Sequence, residues 1–338
     1  MKTITGAVIA AALTAALISP AGAQSDVLLR LRSGSPLGDR FRVDSASGFV
    51  AKGVLGVGII PFTGAGERLM WHPNKAAFRA GSIGSAGTQW DDPNTGYYTW
   101  AGGYNTIALG LASFAMGYQS TALGSYSNAL GYTANADGTG AVAIGYRTTA
   151  DADYSVAIGQ RASTNGHAGA IVFSDGSTTD STQASANNQF TVRAAGGYRL
   201  FSNATMTTGM QISAGGSSWV VISDRNRKEG FLAVDGEDVL ARLRFVPVTT
   251  WRYRDEADRS TLHIGPMAQD WHRAFGFTRD DRTINMSDFD GVNLAAIKAL
   301  EARTAALQAE NAELRAQSRR LEARLERLEA TVGGGRTP

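Results

Sequence analysis

Ser223 and Lys228 stand five residues apart in Val221-Ile222-Ser223-Asp224-Arg225-Asn226-Arg227-Lys228. A serine hydroxyl is a poor nucleophile until a base removes its proton. A lysine amine, ordinarily protonated up to about pH 10.4, serves as that base only where burial drives its pKa toward neutrality, at roughly 4 kcal/mol. Arginine cannot do this, because it does not deprotonate in proteins. The chain has only five lysines, Lys2, Lys52, Lys75, Lys228 and Lys298, and arginine carries most of its positive charge. A lysine following Arg225 and Arg227 at this point is therefore informative. No Ser/His/Asp set or metal-ligand spacing competes with the pair; His263 and His272 lack cysteine or suitably spaced carboxylate partners. Neither cofactor nor metal is expected.

The pair lies at a seam in composition. Before it the chain is rich in Gly, Ala, Ser and Thr and poor in charge; after it come a charged segment and a long heptad pattern. The full sequence has 338 residues, 43% of them hydrophobic, and a net charge of +2, which is too small to point to nucleic acid as a partner. Forty glycines against eight prolines indicate tight turns and close backbone approach. Residues 1–23 read as a secretory signal: Lys2, the apolar run Ala7 to Ile18, then Ala21-Gly22-Ala23 as a small-residue cleavage site. No later stretch reads as a membrane-spanning helix. The chain is expected to be exported and to end in the periplasm, at the cell surface or secreted. It has no cysteine, so stability outside the cell must be gained without disulfides, most cheaply by association.

Residues 24–103 form a β-rich N-terminal segment, with strands expected at Val27–Arg32 and Gly48–Ala51. Trp90 beside Asp91 and Asp92 reads as a packed indole next to turn carboxylates, with a ligand or calcium spot as the rival. From residue 104 a repeat takes over. Ala108-Leu109-Gly110, Ala115-Met116-Gly117, Ala122-Leu123-Gly124 and Ala129-Leu130-Gly131 recur every seven residues, and the phase continues to Ala157-Ile158-Gly159. Glycine in nearly every unit excludes helical heptads. A short strand ending in a glycine turn, repeated, builds a solenoid that cannot bury its apolar stripe alone. The stretch Ala143 to Gly159 resembles the head repeat of trimeric autotransporter adhesins. That resemblance implies a left-handed parallel β-roll over residues 104–173, three chains side by side. Those adhesins end in a membrane-inserting β-barrel anchor, whereas this sequence ends in a helix and the Gly-rich tail 333–338.

Residues 174–222 read as a β connector whose last apolar run, Ser217 to Ile222, delivers Ser223. Residues 223–293 form a small α+β domain, with a helix at Val239–Leu243 capped near Asp235 or Asp238, a strand at Pro247–Tyr253 and a strand-to-helix turn around His263. Ile297, Leu300, Thr304, Leu307, Asn311, Leu314, Ser318, Leu321, Leu325, Leu328 and Val332 then alternate steps of three and four, a coiled-coil seam over 294–332. Polar residues at its a positions and the charge pairs Glu310 with Arg315 and Arg324 with Glu329 favour parallel chains.

The order of Ser223-Asp224-Arg225-Asn226-Arg227-Lys228, then Leu243 to Val248 with Trp251 and Tyr253, then His263-Ile264-Gly265-Pro266-Met267-Ala268-Gln269, then a coiled coil, closely resembles the endosialidase-type intramolecular chaperone of phage tail spikes and fibres. The resemblance implies a domain that trimerises, assists folding of the β stem and is then released by a Ser–Lys dyad. Ser223 and Lys228 fall on the dyad positions, and His263, Gly265 and Gln269 on the domain's second motif. Arg227 stands where many members carry an apolar residue. Attack of Ser223 Oγ on the Ile222 carbonyl passes through a five-membered ring, which places the cleavage at Ile222, Ser223 and Asp224. Cleavage after Ser223 would need a nucleophile from a neighbouring subunit.

The sequence thus predicts a mainly β chain: a trimeric β-roll fibre, a small α+β chaperone domain and a parallel coiled coil. The expected function is an exported homotrimeric, adhesin-like fibre that cuts itself within one chain or within the trimer, with no external substrate; its cell-surface or host ligand is not readable. The alternative is a structural fibre that keeps its C-terminal domain as a permanent clamp. A phage tail fibre fits the signal sequence poorly.

Overall fold

The structure is a computed structural model, and it describes residues 27–33, 38–45 and 48–333. The signal sequence 1–23 and the tail after Gly333 lie outside the described residues. The chain divides into two compact units, Met1–Ile222 and Ser223–Pro338.

The first unit is organised around a β-solenoid of about five turns. Each 14-residue turn has one five-residue strand, as in Phe114–Tyr118, Asn128–Tyr132 and Val142–Tyr146, and one two-residue strand, as in Thr121–Ala122. The seven-residue phase of the sequence is therefore two kinds of strand in alternation. Equivalent strands of successive turns pair in parallel and in register, Ala115 on Ala129 on Ala143 on Ala157. Long and short strands form sheets of nine and six.

The axis is narrow because its lining is small. Ala101, Ala108, Ala115, Ala122, Ala129, Ala136, Ala143, Ala150 and Ala157 are fully buried. Two residues before them runs a second buried line, Thr106, Ser113, Ser120 and Ser127, then Ala134 and Ala141, then Thr148 and Ser155. Glycine is required where turns touch. Gly131 sits at φ +131°, and a Cβ there would lie 2.0 Å from the Gly145 carbonyl oxygen.

The solenoid extends beyond the clear repeat at both ends. Its long-strand ladder already includes Ala77–Ile83, paired parallel to Trp100–Tyr104, with the antiparallel strand Gly66–His72 on its outer edge. Here Arg79 occupies the ladder position of Ala101. Its guanidinium is buried among the carbonyls of Phe78, Thr99 and Ala108, and burial pushes its pKa down to about 10, so it remains charged at neutral pH. Trp90 is fully buried in the solenoid's core cluster, its indole donating to the Thr106 carbonyl at 2.8 Å. At the other end the ladder continues through Ile171–Ser174 and Phe190–Arg193.

The outward side of the long strands is apolar. Met116, Leu130, Ile144, Ile158 and Phe173 form one column in register. Tyr104, Tyr118, Tyr132 and Tyr146 form another, ring on ring at 5.0 Å. Met116, Phe173 and the tyrosines are exposed in the single chain. Among the described residues, two smaller antiparallel sheets complete the unit's strands: Val27–Ser33, Gly38–Asp44 and Gly48–Ala51, and Gly197–Phe201, Gly209–Ser213 and Val220–Val221.

The second unit holds helix α1 (Gly236–Leu243), the hairpin Thr249–Trp251 with His263–Gly265, helix α2 (Ala268–Phe275) and the 48-residue helix α3 (Met286–Gly333). Asp235 caps α1 by accepting from the Glu237 and Asp238 amides. Its core is small: Val239, Val246, Trp271, Val292 and Ala296, with Phe275 and Phe289 against the Trp271 ring.

Because the turns approach so closely at glycine, Gly131→Ala should lower the stability of the stem by at least about 2 kcal/mol. Gly196→Ala, with nothing within 4 Å of the added methyl, should be close to neutral. Thermal unfolding followed by circular dichroism compares the two, and equal midpoints would contradict this packing.

Candidate active site

Ser223 opens the second unit, and Ile222 closes the first. The strand Val220–Val221 pairs with Gly209–Ser213, and the Ile222 amide donates to the Gly209 carbonyl at 3.1 Å. The Ile222–Ser223 peptide bond therefore leaves the edge of a sheet and enters a turn.

That turn is one cycle of 3-10 helix, Arg225–Arg227. The Arg227 amide donates to the Asp224 carbonyl and the Lys228 amide to the Arg225 carbonyl, both at 3.1 Å. Asp224 is its N-cap, with Oδ1 accepting from the Asn226 amide at 2.9 Å and from Asn226 Nδ2 at 3.0 Å. The turn folds residue 228 back over residue 223, and Lys228 Nζ lies 2.6 Å from Ser223 Oγ. This is the contact that a nucleophile and its base require. Both residues are exposed in the single chain.

His263, Gly265 and Gln269 lie elsewhere in the unit. His263 stacks on Trp251 at 4.6 Å, meets Tyr253 edge-on and bonds Glu256 through Nε2 at 3.0 Å. It sits opposite Trp251 in the hairpin register. Gly265 ends that strand, and Gln269 lies in the first turn of α2. Both line a groove of about 610 Å³ with Trp251, Ile264, Met286 and Phe289. Among the described residues, none of the three hydrogen-bonds Ser223 or Lys228; the structure places them in the hairpin and groove. What the sequence reading missed is the Asp224 clasp. Its signal was present, an aspartate two residues before an asparagine, the pattern of a side-chain-capped turn.

Among the described residues no group of His, Asp or Glu is arranged to hold a metal ion. No helix among them is long and apolar enough to cross a membrane.

Comparison with known families agrees with this division of the chain. The YadA head domain repeat matches residues 101–127, 108–134, 126–148 and 136–162. The family described as chaperone of endosialidase matches residues 223–278. The chain carries YadA head repeats and an endosialidase chaperone domain, in that order. No curated protein and no solved structure matches it. The chaperone match begins at Ser223 itself. The head-repeat matches lie within the solenoid's regular turns and leave out the Arg79 end.

The chaperone domain's small core makes Trp271 its principal support. Trp271→Ala should cost about 3–5 kcal/mol. Near-ultraviolet circular dichroism of the full chain should lose the tryptophan signal of a packed C-terminal domain, and an unchanged denaturation curve would contradict this.

Proposed function

We propose that the protein is an exported homotrimeric fibre, adhesin-like and surface-associated, whose chaperone domain drives trimerisation and is then released by serine autoproteolysis at Ser223. The observation that carries this is the 2.6 Å contact of Lys228 Nζ with Ser223 Oγ, at the residue where the second compact unit begins.

The chemistry follows from that contact. Neutral Lys228 accepts the hydroxyl proton as Ser223 Oγ bonds to the Ile222 carbonyl carbon. The carbon–nitrogen bond breaks, and the proton passes from Lys228 to the departing Ser223 nitrogen. Water then hydrolyses the ester, leaving a carboxylate on Ile222 and a free amine on Ser223. Since the pair is exposed in the single chain, the reading requires neighbouring subunits to cover it. Cleavage is then tied to assembly.

Two surfaces support trimerisation. The apolar columns on the long strands are uncovered in one chain, and packing three left-handed rolls side by side buries them. On α3 the heptad residues Ile297, Leu300, Leu307, Leu314, Leu321, Leu325 and Leu328 are all exposed, which suits a parallel coiled coil.

Intact mass of purified protein tests the reading. Wild type should split into a stem ending at Ile222 and a fragment beginning at Ser223. Ser223→Ala, Lys228→Ala and Lys228→Arg should each remain full length and trimeric, the last because arginine keeps the charge but cannot act as base. Wild type that stays one full-length species after ageing at neutral pH would leave the permanent clamp.

A further inference from the structure

Resting on that self-cleavage reading, the geometry points to Asp224 as the positioning residue of the dyad, acting through the Asn226 clasp and not through its charge. Five residues of extended chain would separate the two α-carbons by roughly 17 Å. One 3-10 turn removes that separation, and a single 3-10 cycle is a weak element by itself. Among the described residues, the side-chain hydrogen bonds within the turn are the two accepted by Asp224 Oδ1. Both come from Asn226, one from its backbone amide and one from its side chain, and tie residue 226 to residue 224. Lys228 is the C-cap, in an extended conformation, and its ammonium is aimed at Ser223 only as long as the turn is closed.

Among the described residues the hydrogen bonds of the Asp224 side chain are the two from Asn226, with no salt bridge to Lys228. The useful property of Asp224 is therefore its acceptor oxygen. An amide or hydroxyl oxygen in the same place does the same work.

The test is the rate of cleavage of the full chain as a function of pH. Asp224→Ala should lower the plateau rate about tenfold, the population loss expected on removing a cap, with the midpoint of the pH profile unmoved. Asp224→Asn and Asp224→Ser, both capable caps, should restore the plateau to within about threefold of wild type. Asn226→Ala, which keeps the backbone donor, should fall between. Native gels verify that each variant still assembles; if Asp224→Ala does not, Asn226→Ala against Asp224→Asn carries the comparison. Asp224→Asn as slow as Asp224→Ala, or a displaced midpoint in both, would overturn positioning in favour of an electrostatic role. Asp224→Ala and Asn226→Ala keeping pace with wild type would overturn the clasp alone. A wild type that never splits would overturn the cleavage reading and the clasp with it.

Discussion

The constraint on which the rest depends is the width of the solenoid axis. Alanine, serine, threonine and glycine let successive turns come so close that a Cβ at Gly131 would reach the next turn's carbonyl. A core of methyl and hydroxyl groups buries little apolar surface per residue. The larger side chains, Met116, Leu130, Ile144, Ile158 and Phe173, are turned outward instead. The single chain is thus held by its hydrogen-bonded ladder and leaves its main hydrophobic reserve uncovered. Such a face is satisfied by other copies of the same face.

That arrangement makes folding difficult. On the proposed reading, contacts between chains form only after closure entropy has been lost. A domain built on the 48-residue helix α3 has, along that helix, local contacts that form quickly. If three such domains associate first, the stems are held at high effective concentration while their ladders form. The help is needed once. On the proposed reading, a seam that opens between Ile222 and Ser223 after assembly removes the domain and leaves a stem whose persistence is kinetic.

Much of this was legible in the sequence because repetition amplifies a weak signal. Ala and Gly at fixed phase told the solenoid apart from a helix, and Leu at every d position marked the long helix. The ends were not legible. Their strands obey the same ladder, but the step lengthens from 14 residues, Val142 to Val156, to 15, Val156 to Ile171, and then to 19, Ile171 to Phe190. At the other end an arginine replaces the axial alanine and a loop carrying Trp90 replaces the short strand. Ser223 and Lys228 were visible by residue type and spacing, whereas their meeting depends on a turn whose one sequence signal is Asp224 two residues before Asn226. His263, Gly265 and Gln269 were read together as one motif of the chaperone resemblance, and the structure sets them in the hairpin and groove.

The claim at the centre is that the stem needs its C-terminal domain to assemble and not to persist. Sedimentation velocity of the stem ending at Ile222, isolated after self-cleavage, measures this before and after a cycle of unfolding and dilution. The account predicts a trimer before the cycle and no return to it afterwards. A monomer at the start, or full recovery of the trimer at the end, would contradict it.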